Sequence, residues 1–217
     1  MAKFRLVLVP ALLTLAVTIL RLLAEVNGWF PALLGEKGSQ AGGGAAILGI
    51  SWLIPVFGVY FGARLARQGY FPKPAGPAVL RHVLGLGIAI GIMSLLLWRG
   101  REVLGVDPSG IAMLIYGVWI VCAILASSGW GRLAGLTFLY ALLARLPVVA
   151  ITYVAVLENW GTHYEKLPPS MSADLPALTR AHYLAASQLG LWVPFTVLAG
   201  GLFGTLFGRF FVRTPMQ

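Results

Sequence analysis

Charged residues are scarce in this chain. Asp, Glu, Lys and Arg make up 11% of the 217 residues, whereas 59% are hydrophobic. Soluble domains carry about a quarter of their residues as charges. The mean hydropathy is +0.85. Because so few polar side chains cannot cover the surface of a soluble fold, the composition excludes that class and predicts an integral membrane protein.

Cysteine is also nearly absent, since Cys122 is the single example. One thiol can form neither an internal disulfide nor a CxxC redox or zinc motif. Cys122 lies inside an apolar stretch, where a packed small side chain is the favoured interpretation. The three histidines, His82, His163 and His182, match no zinc spacing, so we predict no metal site. The sequence indicates no particular cofactor.

Carboxylates are missing from the interior of the apolar stretches, although the chain has seven acidic residues in all. Carriers of protons and cations usually place Asp or Glu within the membrane. Cation coupling through an intramembrane carboxylate is therefore disfavoured.

What the chain does have is six apolar stretches of roughly 20 residues, the length at which a helix crosses a hydrocarbon core of ~30 Å. Lipid-exposed backbone must satisfy its hydrogen bonds within each stretch, so all six are predicted to be helices. The prediction is an all-α integral membrane protein, a single polytopic domain over 1–217 with six transmembrane helices in three hairpins. The approximate bounds are 4–25, 45–66, 79–98, 111–128, 133–157 and 183–211.

Two further features refine this arrangement. Pro55, Pro147 and Pro194 interrupt the second, fifth and sixth stretches and predict kinks there. The first stretch lacks a small-x-small cleavage site and carries Arg21 and Glu25 after its apolar core. We therefore interpret it as a retained helix and not as a signal peptide.

The basic residues between the stretches predict the orientation. Nine lie on one side of the predicted bundle: Lys3, Arg5, Arg64, Arg67, Lys73, Arg81, Arg132, Arg209 and Arg213. Five lie on the other: Lys37, Arg99, Arg101, Lys166 and Arg180. This bias predicts a multi-pass protein, in a bacterial inner membrane, with both termini cytoplasmic. Because these residues are spread between apolar segments, the net charge of +9 does not indicate nucleic-acid binding.

Arg145 is the strongest candidate for a functional residue, because it places a permanent charge in the middle of the fifth apolar stretch. Such a charge costs about 2.5–3.5 kcal/mol on insertion scales, so it normally faces a bundle interior or a wet cavity. Pro147, two residues later, frees the carbonyl of Leu143. The pair predicts a polar pocket, although a structural arginine that caps exposed carbonyls is the alternative.

Other polar residues near the predicted outer end complete the candidate ligand-binding set: Arg21, Glu25, Tyr153, Glu158 and His163. Arg21 and Glu25 are spaced i, i+4 on one helix and favour an ion pair with each other. The loop 158–182 is the longest polar segment, and long loops are often functional. We expect it to fold over the outer mouth of the pocket. A short surface helix near 172–182 with no ligand is the alternative.

Glycines at small-xxx-small spacing let helix backbones approach closely. They predict packing within the chain or against membrane-protein partners, through Gly58, Gly62, Gly87, Gly91, Gly200, Gly204 and Gly208. The other expected surroundings are the lipid bilayer and an anionic small molecule or lipid.

Three functions are compatible with these features. The favoured one is an outward-facing polar pocket around Arg145 that binds or transports a small anionic or lipid-like ligand. The second is a non-catalytic subunit or scaffold of a larger membrane complex. The third is a small membrane enzyme that uses Glu158, His163, Glu165 and His182 on an outer-leaflet substrate.

Overall fold

A computed structural model of the chain describes residues 2–29, 49–168, 171 and 174–212. Within these ranges the regular structure is entirely helical, which confirms the predicted all-α class. The helices are α1 (Ala2–Asn27), α2 (Leu53–Arg67), α3 (Gly76–Leu104), α4 (Pro108–Ser127), α5 (Gly131–Glu158) and α6 (Ala177–Phe211). Five of them, all except α2, are long and apolar enough to cross a membrane, so the chain is a multi-pass membrane protein.

The helix α2 is shorter than the predicted stretch 45–66. Its 15 residues span only about 22 Å at 1.5 Å per residue. The predicted start of the stretch, residues 45–48, lies outside the described residues, as does the glycine-rich segment 35–44. A sixth crossing of the membrane therefore stays a prediction.

Two predicted boundaries are corrected by the structure. The predicted stretch 79–98 ends too early, because α3 continues to Leu104 and the first break comes at Gly105, with a φ of 62°. Asp107 then caps α4 by accepting a hydrogen bond from the backbone N–H of Gly110. The predicted loop 158–182 is shorter than expected, because α6 begins at Ala177, directly after Pro176.

The prolines occupy three different kinds of position. Pro55 lies in the first turn of α2, where a proline removes no intrahelical hydrogen bond. Pro147 lies inside α5, and Pro10 lies inside α1, where no kink is predicted from the sequence. Pro194 lies two residues after the end of a π-helical segment, Gln188–Trp192, within α6. The bends at Pro55, Pro147 and Pro194 stay predictions.

The centre of the bundle is formed by α5 and α6. The helix α6 packs against α2, α3, α4 and α5, while α1 packs mainly against α5. On α5, Tyr140 is buried between the rings of Phe57 and Phe61, with centroids 5.3 and 5.8 Å away. Its hydroxyl lies 2.8 Å from Thr14 Oγ1, which ties α1 to this core.

Close backbone contact between α2 and α6 depends on glycine. A methyl group added at Gly58 or Gly62 would overlap the backbone of Gly200 or Gly204. Gly208 lies against Gly62 and the ring of Phe71. These glycines therefore pack within the chain. By contrast, Gly87 and Gly91 on α3 have no atom within 4 Å of an added methyl group.

Candidate functional site

Arg145 lies on the inner face of α5 and is 5% exposed. Its Nη1 donates a hydrogen bond to Gln188 Oε1, at 3.2 Å. Its guanidinium carbon lies 4.6 Å from the ring centroid of Trp192. No carboxylate pairs with it among the described residues. A desolvated cation–π contact contributes about 2 kcal/mol, which offsets much of the cost of placing this charge in the membrane.

The partners of Arg145 sit at the two ends of the π-helical segment of α6. Gln188 is its first residue and Trp192 its last. A π segment adds one residue to a turn, and such insertions are frequent at functional sites because they change where side chains point. Here the irregular turn presents an amide oxygen and an aromatic face to the same guanidinium. The site therefore depends on an irregularity in α6 as well as on the charge in α5.

A cavity of about 250 Å³ lies beside Arg145. Its walls are mixed, with polar groups from α1, α5, α6 and the loop after α5: Thr18, Arg21, Arg145, His163, Tyr164 and Gln188. Apolar side chains from α3, α4 and α6 complete it: Met93, Leu97, Ile115 and Leu191. Because Leu97 is 65% exposed, the cavity reaches the outer surface of the bundle at α3.

The guanidinium of Arg145 is only partly satisfied by protein. An arginine has five N–H donors, and within the described chain one hydrogen bond is made, to Gln188. Each guanidinium nitrogen either makes a hydrogen bond or keeps some exposed surface within these residues. Since Arg145 lines the cavity, its remaining donors open onto that space.

A second polar cluster lies at the end of the cavity near the loop after α5. Glu25 on α1 accepts a hydrogen bond from Arg21 Nε at 2.8 Å. It also accepts one from the backbone N–H of His163 at 3.0 Å. His163 Nδ1 lies 2.6 and 2.7 Å from the two carboxylate oxygens. These contacts fasten the loop to α1 and place His163 and Tyr164 on the cavity wall.

The loop is shaped locally by a reciprocal cap. Residues His163–Glu165 form one 3₁₀ turn, in which the Glu165 carboxylate accepts from the backbone N–H of Thr162 at 3.1 Å. Thr162 is 2% exposed. This cap fixes the backbone so that His163 points toward Glu25. The loop segment at this end of the cavity is thus held by its own cap and by its contacts with Glu25.

Burial sets the electrostatics of the loop residues. It lowers the pKa of His163 below the ordinary value of 6.5, and although the Glu25 carboxylate opposes this effect, it does not cancel it. The positive charge of Arg21 acts in the same direction as burial. Burial raises the pKa of Tyr164 above its usual range. At neutral pH the cluster therefore holds a neutral imidazole and a neutral phenol.

The candidate residues from the sequence divide into three groups. Arg145, Arg21 and His163 line the cavity, and Glu25 holds the latter two in place. Tyr153 packs instead against His182, with ring centroids 5.6 Å apart, and is not on the cavity wall.

The remaining candidate, Glu158, is exposed at the last residue of α5 and does not line the cavity. Glu165 belongs to the loop cap. Within the described ranges, no group of three or more His, Cys, Asp or Glu side chains could hold a metal ion.

Three contributors to the site were missed in the sequence. Gln188 carried a usable signal, because it is an amide inside the last apolar stretch. Trp192 resembled an ordinary interfacial aromatic residue. Tyr164 lies within the predicted loop 158–182, where one aromatic residue is not distinguished from another. The π segment that brings Gln188 and Trp192 together leaves no recognisable pattern in the sequence.

Comparison of the chain with protein-family models, curated proteins and solved structures gives no match. The function must therefore be argued from the cavity itself.

Proposed function

We propose that this protein binds a small anionic or lipid-like ligand in the cavity beside Arg145, as a binding or transport protein. The observation that carries the proposal is the state of Arg145, a buried cation that has no carboxylate partner in the described residues and has donors open to a cavity. Carboxylate, sulfonate and phosphate groups accept such donors and neutralise the charge.

The shape of the cavity limits the ligand. Ligand pockets for drug-sized molecules measure about 300–1,000 Å³, and this one is about 250 Å³. It has room for a charged headgroup beside Arg145. An apolar tail would leave past Leu97 on α3, toward lipid. The proposed ligand is therefore a small anion or the headgroup of an amphiphile.

The membrane arrangement completes the proposal. We propose six transmembrane helices with both termini in the cytoplasm of a bacterial inner membrane, so that the cavity faces outward. The Lys/Arg bias between the two sides supports this orientation. Single cysteines at position 2 and at Glu158 test it. An impermeant thiol reagent on intact cells should label only the second, and ready labelling of position 2 would reverse the topology.

Calorimetric titration of the purified protein with octanesulfonate tests the anion site, since this probe joins a permanent negative charge to a short apolar tail. We expect saturable binding that is lost in Arg145→Met. Arg101→Met is the matched control, because Arg101 is exposed near the end of α3 and does not line the cavity. Equal binding by octyltrimethylammonium, or undiminished binding by Arg145→Met, would contradict the proposal.

A further inference from the structure

The Glu25–His163 pair fixes which ring nitrogen of His163 carries the proton. The Glu25 carboxylate receives three donors, namely Arg21 Nε, the His163 backbone N–H and His163 Nδ1. An ionised carboxylate is an acceptor only, so Nδ1 must donate an N–H to it. A neutral imidazole has one N–H, which leaves Nε2 as an unprotonated acceptor.

His163 Nε2 opens onto the cavity. Within the described residues this atom makes no hydrogen bond, and it keeps some exposed surface. The side chain is 11% exposed and lines the same cavity as Arg145. An anion held by Arg145 therefore enters a space whose wall includes a vacant proton-accepting site.

The charges that face His163 favour protonation of Nε2 when an anion binds. Glu25 and Arg21 face it from α1, and Arg145 faces the cavity from α5. The phenols that share the cavity are neutral at physiological pH: Tyr116, Tyr164 and Tyr183. Without an anion, the burial of His163 among these groups outweighs the stabilisation that Glu25 gives, Arg21 adds to the effect of burial, and an imidazolium is disfavoured. An anion beside Arg145 reverses that balance and can accept a hydrogen bond from a protonated Nε2.

On the basis of the proposed anion site, we propose that the cavity takes up its anion together with a proton, which His163 Nε2 holds. Glu25 is then the positioning residue, since it orients the ring and stabilises the imidazolium through Nδ1. A monoanion and one proton together carry no net charge. The bound unit is thus the equivalent of a neutral acid, which costs less to desolvate inside a membrane protein than the anion alone.

The proposal predicts a specific pH dependence of binding. If one proton enters with each anion, affinity falls by up to about tenfold for each pH unit above the neutral range. Octanesulfonate stays ionised across this range, so any proton taken up must come to the protein. The proton count follows from titrations at one pH in two buffers with different ionisation enthalpies.

We expect up to one proton taken up per octanesulfonate bound near neutral pH, with both the uptake and the pH dependence lost in His163→Asn. His182→Asn is the control, because His182 is exposed and does not line the cavity. Octanesulfonate binding that depends on Arg145 but takes up no proton would overturn the proton site and leave the anion site standing. Absence of any Arg145-dependent binding would overturn both.

Discussion

Arg145 on α5 donates a hydrogen bond to Gln188 on α6, with 3.2 Å between Nη1 and Oε1. Gln188 begins the π segment of α6, and Pro147 lies within α5 two residues after Arg145. Regular helices satisfy their own backbone and offer a neighbour only side chains. The irregular turn of α6 thus coincides with the one hydrogen bond that Arg145 makes in the described chain.

The glycine contact between α2 and α6 gives the first prediction. Gly58→Ala should destabilise the protein by about 1–3 kcal/mol, because the added methyl group overlaps the backbone of Gly200 and neither helix can withdraw alone. Gly87→Ala is the matched control on open surface and should gain up to about 1 kcal/mol from helix propensity. Thermal unfolding in detergent measures both. Equal effects of the two changes would show that the contact does not limit stability.

The second prediction concerns the attachment of the loop. Trypsin should cut slowly after Lys166 in the intact protein, because Glu25 holds the neighbouring turn through His163. Glu25→Ala should accelerate this cut, whereas Glu158→Ala should not, since Glu158 is exposed and lies away from the cavity. Rapid cutting of the unmodified protein would mean that the loop is free.

The third prediction is a pH dependence of the ligand-free protein. Because the pKa of His163 is lower when folded than the ordinary 6.5, the unfolded chain takes up a proton first as the pH falls. Stability from this group is therefore complete above about pH 6.5 and declines below it, until the folded imidazole is also protonated.

The melting temperature should thus fall between about pH 7.5 and about pH 5.5, by roughly 2–4 °C for each kcal/mol lost. His163→Asn should flatten this part of the curve, while His182→Asn should leave it unchanged. A melting temperature that rises as the pH falls, and does so only while His163 is present, would mean that Glu25 holds an imidazolium in the empty protein.

Much of the fold could be predicted from the sequence, because hydropathy alone locates helices that must satisfy their own backbone. The five long helices all overlap predicted stretches. Their observed ends differ from the predicted bounds mainly where no helix breaker separates polar from apolar residues. Arg99, Arg101 and Glu102 show this, since they are charged yet lie within α3, which ends at Leu104.

The site was only partly predictable. Arg145 was recognisable because a charge inside an apolar stretch is costly, and Arg21 and Glu25 because their spacing places them on one helix face. The contact of Glu25 with His163 joins residues 138 positions apart. Tyr153 and Glu158 lie near the predicted outer end of α5. The position of a residue around the helix axis decides whether it faces the cavity, and neither of these residues lines it.

The melting temperatures of Arg145→Met and Arg145→Lys, without ligand, test the central claim most directly. If Arg145 is a binding group, Arg145→Met should melt at or above the temperature of the unmodified protein, since a buried charge is costly and Gln188 keeps access to water in the cavity. Arg145→Lys should also fold, although it loses the planar fork that fits an anion. If instead Arg145→Met unfolds the bundle while Arg145→Lys melts normally, Arg145 is a structural residue and the anion site is contradicted.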